Sequence, residues 1–141
     1  MFIHKTSERR QRGIALVEFA ITLPIFLVLL LGVMEYGYYF YVAVSATNAA
    51  REGARQCTLV SLGACGDCKP TAAADYMGKV GMRANTKATA TCDNADGTFM
   101  YTVGVEVEFP PLSGFTPIVS ALPSADSGHV VAYGTAVMRG Q

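Results

Sequence analysis

Charge is scarce in this chain. Asp, Glu, Lys and Arg make up 16% of its 141 residues, against about a quarter in ordinary soluble domains. So few charges exclude a coiled coil and a highly basic nucleic-acid binder, and the 51% hydrophobic content excludes a disordered chain. Histidine is nearly absent: past residue 13 only His129 occurs, at the start of an expected strand. No G-x-S-x-G, H-E-x-x-H, P-loop or G-x-G-x-x-G is present. No two carboxylates share an apolar face where their proton affinities could be pushed apart. Asp93 and Asp96 flank a turn that would hold a calcium ion weakly at best. We therefore expect no enzymatic activity, no cofactor and no metal site. Internal repeats are also missing, and the length allows one modest domain.

What is present is unevenly placed. Residues 1–13 carry Lys5, Arg9, Arg10 and Arg12 against Glu8, a net charge of +3, so the remainder of this formally neutral chain is −3. The next 20 residues, Ile14 to Val33, hold a single charge, Glu18. As a helix they span about 30 Å, one bilayer core. A buried core helix would need more surrounding mass than so small a domain offers. A cleaved secretory signal would have a shorter apolar region, followed by a small-x-small site. The run reads as a retained anchor over 14–34, with the basic end in the cytoplasm and the rest outside.

A carboxylate five residues into such a run either snorkels to the headgroups or serves a function. What surrounds it decides the reading. A basic leader ends in Gly13, an apolar helix starts at Ile14, and its fifth residue is Glu18. This resembles type IV prepilin-like proteins, and the resemblance implies cleavage between Gly13 and Ile14 by a prepilin peptidase. It also implies an assembly role for Glu18, as a partner for the new amino terminus of a neighbouring subunit. The longer string Gln11-Arg12-Gly13-Ile14-Ala15-Leu16-Val17-Glu18-Phe19-Ala20 leads to Leu23-Pro24, then to Glu35-Tyr36-Gly37. Asn48-Ala49-Ala50-Arg51-Glu52-Gly53-Ala54-Arg55 follows. These residues resemble the TadE-like family, pseudopilins or minor pilins of the tight-adherence (Tad/Flp) pilus. The resemblance implies a role in pilus assembly and surface adherence. The implied partners are a prepilin peptidase, other pilin subunits, the inner-membrane assembly platform and the lipid bilayer, with no nucleic acid. The implied location is the inner membrane, with the carboxyl-terminal domain periplasmic or extracellular, or the assembled pilus.

The helix is expected to continue beyond the membrane over 35–56, kinked near Pro24, which removes a backbone donor. Tyr36, Tyr38, Tyr39 and Tyr41 read as an interfacial aromatic belt beside Glu35. Ala43, Ala46, Ala50 and Gly53 form a stripe of small residues that lets a helix or sheet approach closely. Arg51 and Arg55 lie four apart, with Glu52 off their face, and either bind acidic partners or cover the helix carboxyl end.

Residues 57–141 read as an α+β domain. Cys57 to Pro70 is expected as loop, Thr71 to about Asn85 as a short helix capped by Thr71, and Lys87 to Cys92 as a strand. Asp93 to Gly97 is the turn. Tyr101 to Phe109 alternates apolar and polar as a half-buried strand does, stopped by Pro110 and Pro111. An apolar loop precedes a last strand, Val130 to Met138. The sum is a long helix packed on a small antiparallel sheet, the pilin-like layout. Cys57, Cys65, Cys68 and Cys92 all follow the anchor, where an even count favours disulfides. The three possible connectivities stay open, although a Cys65–Cys68 bridge would close a very small loop. The spacing of Cys65 and Cys68 also fits a zinc half-site or a redox C-x-x-C. The alternative to a pilus subunit is a single-pass, membrane-anchored extracytoplasmic binding module held by two disulfides.

Overall fold

A computed structural model of the chain describes residues 7–60, 68–82, 85–95, 98–112, 125–126 and 129–140. Helix α1 runs unbroken from Ser7 to Val60 and passes through Pro24. Its start lies inside the basic leader, and its end lies one turn beyond the expected boundary near residue 56. Cys57 is therefore helical, where a loop was expected.

Two compact units divide the chain at Met34 and Glu35. In the first, the side chains of residues 14–30 are all exposed, Ile14, Leu16, Phe19, Ile21 and Leu29 by more than 60% each. The most apolar window of this helix has none of its surface buried within the chain, and by length and composition the helix suits a membrane span. Thr22 donates its hydroxyl to the Glu18 carbonyl at 2.7 Å, satisfying itself within the helix.

The second unit is built on an antiparallel sheet. Strand β1 (Thr86–Ala95) pairs with β2 (Thr98–Phe109), β2 with β4 (His129–Arg139), and the two-residue β3 (Ala125–Asp126) with the start of β4. β1 continues to Ala95, opposite Thr98, so Asp93 and Asn94 belong to the strand and not to the turn; Asp96 and Gly97 lie outside the described residues. On β2, Tyr101, Val103, Val105, Val107 and Phe109 are buried and the residues between them are half-buried. Full burial of such side chains is worth about 1.5–3 kcal/mol each.

The second half of α1 lies across this apolar face, with Val42, Ala46, Ala49, Ala50, Ala54 and Cys57 fully buried in the shared core. Its small residues thus serve the chain's own sheet. A short helix α2, Thr71–Lys79, adds Ala73 and Met77. It stops well before Asn85 because Gly81, at φ +80°, turns the chain and lets the Met82 amide donate to the Met77 carbonyl. Ala84 lies outside the described residues. The closest approach in the unit is at Gly134 of β4. A Cβ there would come well under 3.0 Å from the Ala46 carbonyl and the Thr47 nitrogen, both backbone atoms. Gly134→Ala should therefore lower stability by about 1–3 kcal/mol or more. Thermal unfolding in detergent would register this as a clear fall in Tm, whereas Gly37→Ala, with open space around it, should not destabilise.

Candidate functional site

The candidate site is α1 itself, whose residues divide by the direction they face. Gly13 and Ile14 lie in its first turns. Nothing stands within 4 Å of a Cβ built on Gly13, and Ile14 is 65% exposed. Glu18 is likewise exposed. The structure thus places these three on one open stretch of helix, covered by no other part of the described chain.

The segment 48–55 is different. Ala49, Ala50 and Ala54 are fully buried. Gly53 is buried too, and a Cβ on it would lie 3.1 Å from Ala73 and Pro70 and 3.2 Å from Val103. Four of its eight residues therefore hold the sheet and α2 against the helix. Asn48 is half-buried, and Arg51 and Arg55 face outwards. Arg55 donates to both carboxylate oxygens of Glu52, at 2.7 and 3.1 Å. Glu52 is therefore not off the face of Arg55, because i,i+3 side chains are neighbours on a helix. The hydrogen bond to Arg55 holds the Glu52 carboxyl below its usual range, and the same bond raises the Arg55 guanidinium. Arg51 has no ion pair among the described residues. Nor do the arginines cover the helix end: α1 runs on to Val60 with no basic residue in its last turn.

One observation ties this segment to the sequence families. Residues 13–55 match the TadE-like protein family. The match spans the apolar helix, Glu35 and the whole 48–55 motif, which is under a third of the chain. No curated protein and no solved structure matches. The TadE-like segment ends two residues before Cys57, where covalent cross-linking takes over. Cys57 is bonded to Cys68, with 5.4 Å between the α-carbons. Cys68 thus pairs eleven residues back and not with Cys65, which lies outside the described residues. Cys92 is also disulfide-bonded.

Two residues of this region carry roles that periodicity did not reveal. Gln56 receives the Ala72 amide on its Oε1 at 2.8 Å and donates from Nε2 to the Thr71 hydroxyl at 2.9 Å. It caps α2 from a different helix, a task assigned above to Thr71, which sits inside the first turn and makes no cap of its own. Glu35, expected at a membrane interface among tyrosines, is only 2% exposed. Its Oε1 accepts the Leu112 amide at 2.9 Å, across 77 residues of sequence. Tyr38 is half-buried beside it in sequence, its ring edge-on to Phe109 at 5.2 Å, whereas Tyr36 and Tyr41 stay exposed. No local pattern signals either contact.

Gln56→Ala should cost about 0.5–2 kcal/mol through the lost cap, measurable by denaturant unfolding of the detergent-solubilised protein. Non-reducing peptide mapping should return Cys57 linked to Cys68.

Proposed function

We propose that this chain is a pseudopilin or minor pilin of a Tad-type pilus, made with a leader, cut after Gly13 and assembled through its amino-terminal helix. The observation that carries the reading is the match of residues 13–55 to the TadE-like family, a family of structural pilus components, over a helix whose residues 14–30 are left exposed by the described chain. Side chains such as Leu16, Phe19 and Leu29, exposed by 63–70%, require lipid before assembly and other subunits after it. Cleavage at Gly13 has a physical basis. Hydrolysis needs the helix locally unwound, and Gly is about 1 kcal/mol less favourable than Ala in a helix interior. The cut frees an α-amino group at Ile14, one turn from Glu18. In lipid or a subunit core a carboxylate needs a cation, and this amine of a neighbouring copy supplies one.

In this reading the basic leader stays in the cytoplasm and residues 35–141 lie outside, which suits their disulfides. The partners are a prepilin peptidase, other pilin subunits and a membrane assembly platform, and adherence follows from membership of the pilus.

Intact mass and amino-terminal sequencing of protein from host membranes test this directly. A chain starting at Ile14 only when the peptidase is present is expected. Gly13→Ala should block the cut, and Glu18→Ala should still be cut but should enter filaments poorly. Retention of Met1 in both strains would overturn the reading in favour of a plain membrane-anchored binding module.

A further inference from the structure

We infer that the open face of the sheet carries a binding site for a neutral sugar ring, in a hollow over Gly104 beside Tyr133. The inference stands on β1, β2 and β4 alone and does not depend on the pilus reading.

The register builds the hollow. It sets Lys87, Glu106 and Tyr133 side by side across β1, β2 and β4, and Thr89, Gly104 and Thr135 in the next row. Glu106 and Gly104 alternate with the buried residues of β2, so both rows face away from α1 and the core. Gly104 puts no side chain between the two threonines, and a Cβ there would already lie 3.3 Å from the Thr89 hydroxyl. The gap it leaves has a volume of about 240 Å³ and opens to solvent. Pockets for drug-sized ligands run to about 300–1,000 Å³, so this one suits a single ring. Tyr133 walls the gap without filling it. An aromatic laid flat on a glycine of the next strand would be largely covered, but Tyr133 is 60% exposed and stacks on no other ring among the described residues.

The polar groups select the ligand. Thr89 and Thr135 each present a hydroxyl that donates and accepts, Glu106 accepts, and Lys87 donates. Lys87 gives one N–H to Glu108 at 3.2 Å and has two more. An anion here would meet Glu106 and Glu108, and a cation would meet Lys87. A neutral polyol meets no like charge. Its hydroxyls both donate and accept, which matches the mixed set, and the C–H face of its ring can lie on the Tyr133 ring. A pyranose therefore uses all of these groups together, where a small ion would use half of them.

The test is saturation-transfer NMR on the full-length protein in polyoxyethylene-ether micelles, which carry neither sugar nor charge. The probes are the methyl glycosides of glucose, galactose and mannose, N-acetylglucosamine, and choline as a cation. Transfer to at least one sugar is expected, with a dissociation constant in the millimolar range that so few atoms allow. Tyr133→Ala should weaken it by about tenfold or more without lowering Tm, since this side chain is largely exposed. Gly104→Val, which fills the hollow, should abolish it. Tyr133→Phe, which keeps the ring, and Tyr41→Ala, at an exposed tyrosine on α1, should leave it unchanged. No transfer to any of the four sugars would overturn the site. Transfer that survives Tyr133→Ala would place the binding elsewhere and overturn it too. Transfer to choline alone would overturn the neutral-sugar assignment in favour of a cation.

Discussion

The second unit depends on one close approach, the backbone of β4 against the backbone of α1 at Gly134 and Ala46. A helix can come that near a sheet only where the side chains in the gap are no larger than a methyl group. Ala46, Ala49, Ala50, Gly53 and Ala54 provide this on the helix, and Gly134 provides it on the sheet. The bulk of the core is then supplied from β2, by Tyr101, three valines and Phe109. Such a division suits a thin domain, because large residues on both layers would hold them apart and open voids at the edges. Gly53 repeats the arrangement under α2, with Pro70, Ala73 and Val103 closing on it. The Cys57–Cys68 bond and the Gln56 cap then fasten α2 to the same end of the helix. Each of these depends on the helix lying as close as the small residues permit.

How much of this could be read in advance follows from the range of each interaction. The alternation of Tyr101 to Phe109 and the spacing of Ala46, Ala50 and Gly53 are local patterns, and both were legible as a half-buried strand and a close-contact stripe. The long helix was legible in its apolar run with few breakers, and the short second helix in its own apolar face. Ends were less legible. α1 persists through Cys57 to Val60 with no breaker to mark its end, and α2 stops at Lys79 because of the left-handed Gly81 two residues on. The cap on α2 comes from another element, and the Glu35 contact spans 77 residues. Such pairings have no period in the sequence. Cysteine pairing is of the same kind, since three connectivities satisfy the same spacings.

Glu35 shows why a charge at an element boundary repays close reading. A buried carboxylate is expensive unless it is fully hydrogen-bonded, and no buried side-chain polar atom among the described residues lacks a partner. Removing one side of such a contact leaves the other desolvated, so its loss costs more than the bond itself contributes. A single residue on the helix thereby specifies where the chain must pass after β2. An apolar residue there would pack, but it would not select one amide over its neighbours.

The TadE-like segment can now be divided by what its residues do inside this chain. Glu35, Ala49, Ala50, Gly53 and Ala54 are used by the fold: they are buried, and replacing any of them would disturb the domain whatever the protein does. Glu52 and Arg55 satisfy one another on the surface. The side chains of residues 14–30 and of Arg51 are exposed, and most are apolar. An apolar helical surface of that length is unfavourable in water by the area it exposes. Nothing in the described residues covers it, and its length and composition suit a membrane span. A motif read only as a family signature would weight all of these positions equally. Once the fold's share is removed, Glu18 and Arg51 are the charged residues of the segment left without a role in it.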